Sequence, residues 1–181
     1  SSVQERGSIF WFDIALPEVI LASSPAVTKA PKIHEMTDQP HSILIVDDEE
    51  SNRLLLMNLL KPLEFEVFEA ENGHEAIHLA EKTAPEMMLL DLLMPVMDGF
   101  EALHQIRGLP GLEQMMVIAI SADAHEDVRQ KSLNAGCAAF LTKPFKLEEL
   151  LATIRHLFQQ HAKQLRRTTA EVAEPAKVVL P

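Results

Sequence analysis

From Ser42 to about His161, short β-prone runs alternate with amphipathic stretches five times, and that alternation restricts the fold more than any other feature of the chain. Ile43-Leu44-Ile45-Val46 is an unbroken apolar run closing on Asp47-Asp48, the pattern of a strand covered on both faces. Leu54, Leu55, Leu59 and Leu60 then form a helical stripe that stops near Pro62, where the missing amide ends a helix interior. Residues 66–69 read as a less apolar strand, and Gly73 precedes a helix carrying Ala76, Ile77 and Ala80. Met87-Met88-Leu89-Leu90 is a second doubly buried run and ends in Asp91. Asp98-Gly99 opens a helix with Phe100, Leu103 and Ile106, closed by Gly108 and Pro110. Residues 115–120 form a strand ending at Ser121, and the next helix runs to about Asn134 and stops at Gly136, a residue suited to a left-handed cap. Residues 138–142 are the last strand, ending at Lys143-Pro144. Leu147, Leu150, Leu151, Ile154, Leu157 and Phe158 give the closing helix one apolar face.

Five β–α units in succession predict an α/β fold, a five-stranded parallel sheet with helices on both faces. The chain has 181 residues, enough for one ordinary domain with flanking sequence, and 47% hydrophobic content excludes wholesale disorder. Residues 1–17 hold a β-rich patch, Ser8-Ile9-Phe10-Trp11-Phe12-Asp13-Ile14; residues 18–41 carry Pro25, Pro31 and Pro40 without periodicity and read as a linker. The regular domain occupies 42–161, and a polar tail fills 162–181. With 16 Lys+Arg against 27 Asp+Glu the formal charge is −11, which argues against nucleic acid or an anionic membrane as partner. The Lys163, Arg166 and Arg167 cluster reads as a solvated helix end or linker rather than a nucleic-acid site. Cys137 is the only cysteine; it excludes a disulfide framework or Cys-based zinc site, fits a reducing compartment, and reads as a small buried hydrophobe. No apolar run approaches the ~20 residues of a membrane helix. The Ser-Ser start, without a basic-then-apolar signal pattern, reads as the end of a fragment.

Ligand sites in open parallel sheets lie beyond the carboxyl ends of the strands. The polar residues expected there are Asp47 and Asp48, Asp91, Ser121 and Lys143. Each has a bland reading when taken singly: an Asp pair caps a helix, a Ser closes a strand, a Lys before Pro is solvated. Their joint occurrence at four strand ends of one pattern favours chemistry. Three converging carboxylates repel one another unless a cation is present, and an all-oxygen donor set suits Mg²⁺. A carboxylate can attack phosphorus to give an aspartyl phosphate, whose new charge a Lys ammonium and a hydroxyl can neutralise alongside the metal.

These motifs resemble a response-regulator receiver domain: Ile-Leu-Ile-Val-Asp-Asp at 43–48, Asp91 with Met94-Pro95-Val96-Met97-Asp98-Gly99, Ser121-Ala122, and Phe140-Leu141-Thr142-Lys143-Pro144-Phe145. The resemblance covers about 42–161 and implies the flavodoxin-like (βα)5 receiver fold. It implies that Asp91 is the phosphoacceptor and that Asp47, Asp48, Asp91 and the backbone carbonyl of Leu93 bind Mg²⁺. Ser121 becomes the switch hydroxyl, Lys143 the phosphate-binding lysine, and Lys143-Pro144 a cis bond. Phe140 holds the switch-aromatic position without a phenolic hydroxyl, its ring expected to turn inward from a more exposed position.

Arg6-Gly7-Ser8-Ile9-Phe10-Trp11-Phe12 through Leu16-Pro17 is similar to the last strand of a histidine-kinase ATP-binding domain. The order kinase end, linker, receiver implies the C-terminal receiver of a hybrid sensor histidine kinase. Such a module is cytoplasmic, in a parent that can be membrane-anchored. It takes phosphate from a kinase dimerisation/phospho-His domain, passes it to a His-phosphotransfer protein, and switches its 122–158 face. The chain lacks a phosphorylated-His region and an ATP site, so it is not a kinase by itself. The alternative is an Asp-nucleophile phosphatase of the haloacid-dehalogenase type, but residues 47–51 read Asp-Asp-Glu-Glu-Ser, without that family's second Asp two positions on.

Overall fold

The computed structural model describes the backbone of residues 41–173 and the side chains of residues 41–166. The strand expected around Phe10-Trp11-Phe12, the linker before His41 and residues 174–181 lie outside them. Strands and helices alternate as the pattern requires: β1 (Ser42–Val46), α1 (Glu50–Leu60), β2 (Glu66–Ala70), α2 (Gly73–Thr83), β3 (Met87–Asp91), α3 (Gly99–Arg107), β4 (Met116–Ser121), α4 (Glu126–Asn134), β5 (Ala139–Thr142) and α5 (Leu147–Ala173). The five strands are parallel in the order β2-β1-β3-β4-β5. Strand order therefore reverses between β1 and β3, and the crevice beyond their carboxyl ends is where a ligand fits.

Alternation along each strand divides the core into two layers. Ile43, Ile45, Met87, Leu89, Ile118 and Leu141 pack with Leu56 and Leu60 of α1 and with Leu150, Ile154, Leu157 and Phe158 of α5. Leu44, Val46, Met88, Leu90, Val117 and Ala119 face the other way, onto Ala76 and Ala80 of α2 and Leu103 and Ile106 of α3. Burying one such aliphatic side chain fully is worth about 1.5–3 kcal/mol. Local chemistry sets the helix starts: Asn72 caps α2 by accepting the Glu75 amide (3.0 Å), and Asp98 caps α3 by accepting the Glu101 amide (2.8 Å). Gly136 takes φ +96° just beyond α4, as a left-handed cap requires. His41, at the start of the sheet, stacks on Phe158 of α5 with ring centroids 4.2 Å apart and pairs through Nδ1 with Glu86.

Three details differ from the sequence pattern. On α1 the buried pair is Leu56 and Leu60, while Leu54 and Leu55 stand 51% and 67% exposed; the i, i+4 pair faces the sheet, with Met57 and Leu59 partly buried beside it. The helix of α5 continues through Ala173, twelve residues past the expected boundary at 161. Ala162, Lys163, Gln164, Leu165, Arg166 and Arg167 are strong helix formers, so the basic cluster belongs to a helix end rather than a linker. Phe140 is already buried on the α3 side of the sheet, at 8% exposure.

Val96, itself 87% exposed, adopts φ +72° in the loop after β3. That conformation strains a β-branched residue and suits Asn. Val96→Asn is expected to raise stability by about 1 kcal/mol, read as a higher denaturation midpoint at unchanged slope.

Candidate functional site

Beyond β1 the chain has three residues before α1 begins, so Asp47 and Asp48 sit on a short, tightly held loop. Asp47 is buried and Asp48 exposed. The Asp47 carboxylate accepts from the Glu49 amide (Oδ1, 2.9 Å) and from Asn52 Nδ2 (3.0 Å to Oδ1, 3.1 Å to Oδ2). Asp91 ends β3, buried, and its Oδ1 accepts from the Leu93 amide at 2.8 Å. One carboxylate oxygen from each of Asp47, Asp48 and Asp91 lies within 4.8 Å of the others.

Gly99 makes the position of Asp91 possible. A Cβ there would lie 2.4 Å from the Asp91 carbonyl oxygen and 2.7 Å from Leu92 Cα. Only glycine lets α3 start this close to the end of β3.

Lys143 follows β5 and reaches across the crevice. Its Nζ donates to Asp47 Oδ2 at 2.7 Å and to Asp91 Oδ2 at 2.6 Å. Burial works against the charged ammonium. The two carboxylate hydrogen bonds and their Coulombic attraction outweigh it, and hold the Lys143 pKa above the usual lysine value. One ammonium faces three carboxylates, so the cluster keeps an excess of negative charge and can take a hard divalent cation. The donor set is all oxygen and fits Mg²⁺. A carboxylate beside an ammonium, in a cluster able to take a cation, is chemically capable of nucleophilic attack on a phosphoryl group.

Residues 43–155 match the model of the response regulator receiver domain. The chain belongs to the response-regulator receiver family. This receiver is 39% identical over 113 residues to a 14.6 kDa protein of Leptolyngbya boryana, covering 62% of this chain and 86% of that one. It is 34% identical over 135 residues to the transcriptional regulatory protein SrrA of Staphylococcus aureus, covering 75% of this chain and about half of SrrA (53%). Among solved structures it resembles the receiver domain of sensor histidine kinase PA1611 from Pseudomonas aeruginosa, which has a magnesium ion coordinated in its active-site cleft. That likeness has TM-score 0.61 and 30% identity, over 66% of this chain and 98% of that one. It also resembles a chain of the co-crystal structure of the Saccharomyces cerevisiae histidine phosphotransfer protein Ypd1 with the receiver domain of Ssk1. There the TM-score is 0.64 with 27% identity, over 68% of this chain and 92% of that one. Receiver membership displaces the Asp-nucleophile phosphatase alternative.

The receiver thus brings Asp47, Asp48, Asp91 and Lys143 into one cluster. Ser121 is fully buried at the end of β4, where its Oγ accepts from the Asp123 amide at 3.1 Å. Phe140 lies inward on the α3 side, so an outward-to-inward swing has no starting position here. The Lys143-Pro144 bond is cis. Cys137 is buried with its thiol pushed up to about 11, chiefly by desolvation, which leaves it inert as a nucleophile. The six methionines at 87, 88, 94, 97, 115 and 116 are all buried packing.

Two residues of the site have no counterpart in the sequence pattern, Asn52 and Arg53. The Arg53 guanidinium donates from Nη1 to the main-chain carbonyls of Asp47 (2.8 Å) and Asp48 (3.2 Å). The available signal was their place in the first turn of the helix that follows the acid pair. Beside Lys143 a pocket of about 450 Å³ is lined by Asn52, Leu55, Leu56, Ile120, Pro144 and Phe145. Among the described residues, no helix is long and apolar enough to cross a membrane.

Proposed function

We propose that this receiver accepts a phosphoryl group on Asp91 from a phospho-histidine, with Mg²⁺ held by Asp47, Asp48, Asp91 and the backbone carbonyl of Leu93. The observation that carries the reading is the buried Asp91 carboxylate, fixed by the Leu93 amide on one oxygen and by Lys143 on the other. In the transfer an Asp91 oxygen attacks phosphorus, the P–N bond to the imidazole breaks, and its electron pair leaves with the histidine. Mg²⁺ supplies charge neutralisation to the phosphoryl oxygens. Lys143 neutralises from the opposite side, and its hydrogen bond shifts from carboxylate to phosphoryl oxygen. The Ser121 hydroxyl meets a third oxygen after leaving the Asp123 amide.

The resulting signal passes to the 122–158 face. The reading is supported by the thin anchoring of α4, in which Ser132 is the one buried residue; little packing has to be broken for that helix to shift. Because Phe140 is already inside, the serine and the loop at 122–125 carry the change, with the ring as a fixed wall.

The phosphoryl donor and acceptor are a histidine-kinase phospho-His domain and a His-phosphotransfer protein. Supporting this are the PA1611 and Ssk1 receivers named above and the exposed Leu55 that lines the pocket with Leu56 and Phe145, an apolar wall on which a partner's side chains can seat. The order of the motifs supports a hybrid histidine kinase as parent, with residues 1–17 a remnant of its ATP-binding domain, 18–41 the linker and 42–161 the cytoplasmic receiver.

Two experiments test the site. Incubation with acetyl phosphate and Mg²⁺, read by intact mass, should show a single labile phosphoryl group; no adduct, or steady turnover of many equivalents, counts against it. Mg²⁺ at tenfold excess over Kd should stabilise the protein by about 1.4 kcal/mol. A thermal-unfolding titration that shows no shift, or the same shift in Asp48→Ala, removes the metal assignment.

A further inference from the structure

The loop that presents Asp47 and Asp48 is held from behind by one side chain. Arg53 is 12% exposed and lies between the loop and the neighbouring strand β2, with Nε 3.7 Å from Glu69 Oε2. Its Nη1 donates to the carbonyl oxygens of two consecutive residues, Asp47 and Asp48. Asp47 has further supports in the Glu49 amide and Asn52. Among the described residues the Asp48 carboxylate has no hydrogen-bond partner, so its direction depends on the main chain that carries it.

We infer that Arg53 is a positioning residue for the metal-binding acid pair: its Nη1, shared between the Asp47 and Asp48 carbonyls, fixes the angle at which Asp48 faces Asp91. The inference rests on the Mg²⁺ reading given above and adds a residue outside the ligand set.

Two effects of a guanidinium at this place oppose each other. Its charge, near three carboxylates, lowers the local negative potential and weakens the pull on a cation. Its geometry holds the ligands in place and strengthens binding. The positive head contacts carbonyl oxygens rather than the ligand oxygens, and Glu69 lies against its Nε. That reduces the Coulombic cost at the metal position, so geometry dominates. Partners that orient metal ligands from one layer out are worth about 10–100-fold in affinity. Lysine supplies the same charge without the planar head that meets both carbonyls through Nη1 while its Nε faces Glu69, and cannot stand in for it.

The test is Mg²⁺ titration by calorimetry on the 181-residue chain, comparing wild type, Asp48→Ala, Arg53→Lys and Arg53→Met. The expected result is a Kd raised about tenfold in Arg53→Met and raised in Arg53→Lys too. The Mg²⁺ concentration for half-maximal labelling by acetyl phosphate should rise in step, while the rate at saturating Mg²⁺ returns to the wild-type value. A role limited to folding would instead lower the metal-free melting temperature and the saturating rate together. Tighter Mg²⁺ binding in Arg53→Met, or wild-type affinity in Arg53→Lys, overturns the inference, and the lysine variant decides the matter if the methionine variant does not fold. Absence of binding in wild type itself strikes the Mg²⁺ reading. Loss in Asp48→Ala with unchanged affinity in both Arg53 variants strikes the positioning role alone.

Discussion

Asp91→Asn is expected to take acetyl-phosphate labelling to background while the fold survives. The amide has no anionic oxygen to attack phosphorus, so the covalent route is closed rather than slowed. The substitution is nearly isosteric. Its carbonyl oxygen can still accept from the Leu93 amide or from Lys143, the two groups that hold the carboxylate now. Charge changes more than shape. Removing one of the three carboxylates that face a single ammonium relieves repulsion in the cluster. In Mg²⁺-free buffer the variant should therefore melt at or above the wild-type temperature, and it should gain less from added Mg²⁺. Intact mass and a pair of melting curves, with and without the metal, check both parts. Labelling at the wild-type rate and stoichiometry would mean that a different residue carries the phosphoryl group.

Why Asp91 stands out in the bare sequence is physical. Strands covered on both faces must be continuously apolar, so the acid ending Met87-Met88-Leu89-Leu90 cannot be an ordinary surface residue of that strand. The same holds for Asp47 after Ile43-Leu44-Ile45-Val46. Once five β–α units are recognised, parallel topology sends every strand's carboxyl end to one edge, and the cluster follows. Helix α1 was harder to read, because Leu54, Leu55, Leu56, Leu59 and Leu60 are too many for one stripe. Choosing the face took the actual rotation of the helix against the sheet. Arg53 gives only its place in the first turn after the acid pair as a sign in one dimension, since its partners are main-chain carbonyls, which every residue has. The inward placement of Phe140 is a side-chain choice between two packings that the same residue type allows. The length of α5 was legible from helix propensity but masked by polarity, which marks exposure and says nothing of backbone conformation.

Lys143→Met should move two properties in opposite directions, which separates the role of the ammonium from that of the metal. Loss of Nζ leaves the buried Asp47 and Asp91 carboxylates facing one another with no cation between them. Breaking such a pair costs about 3–5 kcal/mol at full burial. Here the lysine side chain is 24% exposed, and about 2 kcal/mol in Mg²⁺-free buffer is the reasonable expectation. The same two Oδ2 atoms then become free for a cation, so Mg²⁺ should bind more tightly than in wild type and restore most of the lost stability. Labelling should nonetheless fall about a hundredfold even at saturating Mg²⁺, because a preorganised donor to the developing phosphoryl charge is gone. The pH dependence has a definite sign. The lysine pKa is raised in the folded protein, so its contribution is complete below the unfolded value of about 10.4 and is lost as pH rises through the folded value. The difference in stability between wild type and Lys143→Met should thus be flat from neutral pH to about 10 and shrink only above about 10.4. If Mg²⁺ binds the variant more weakly, or if saturating metal restores wild-type labelling, the ammonium is not the phosphoryl partner and serves the acid cluster alone.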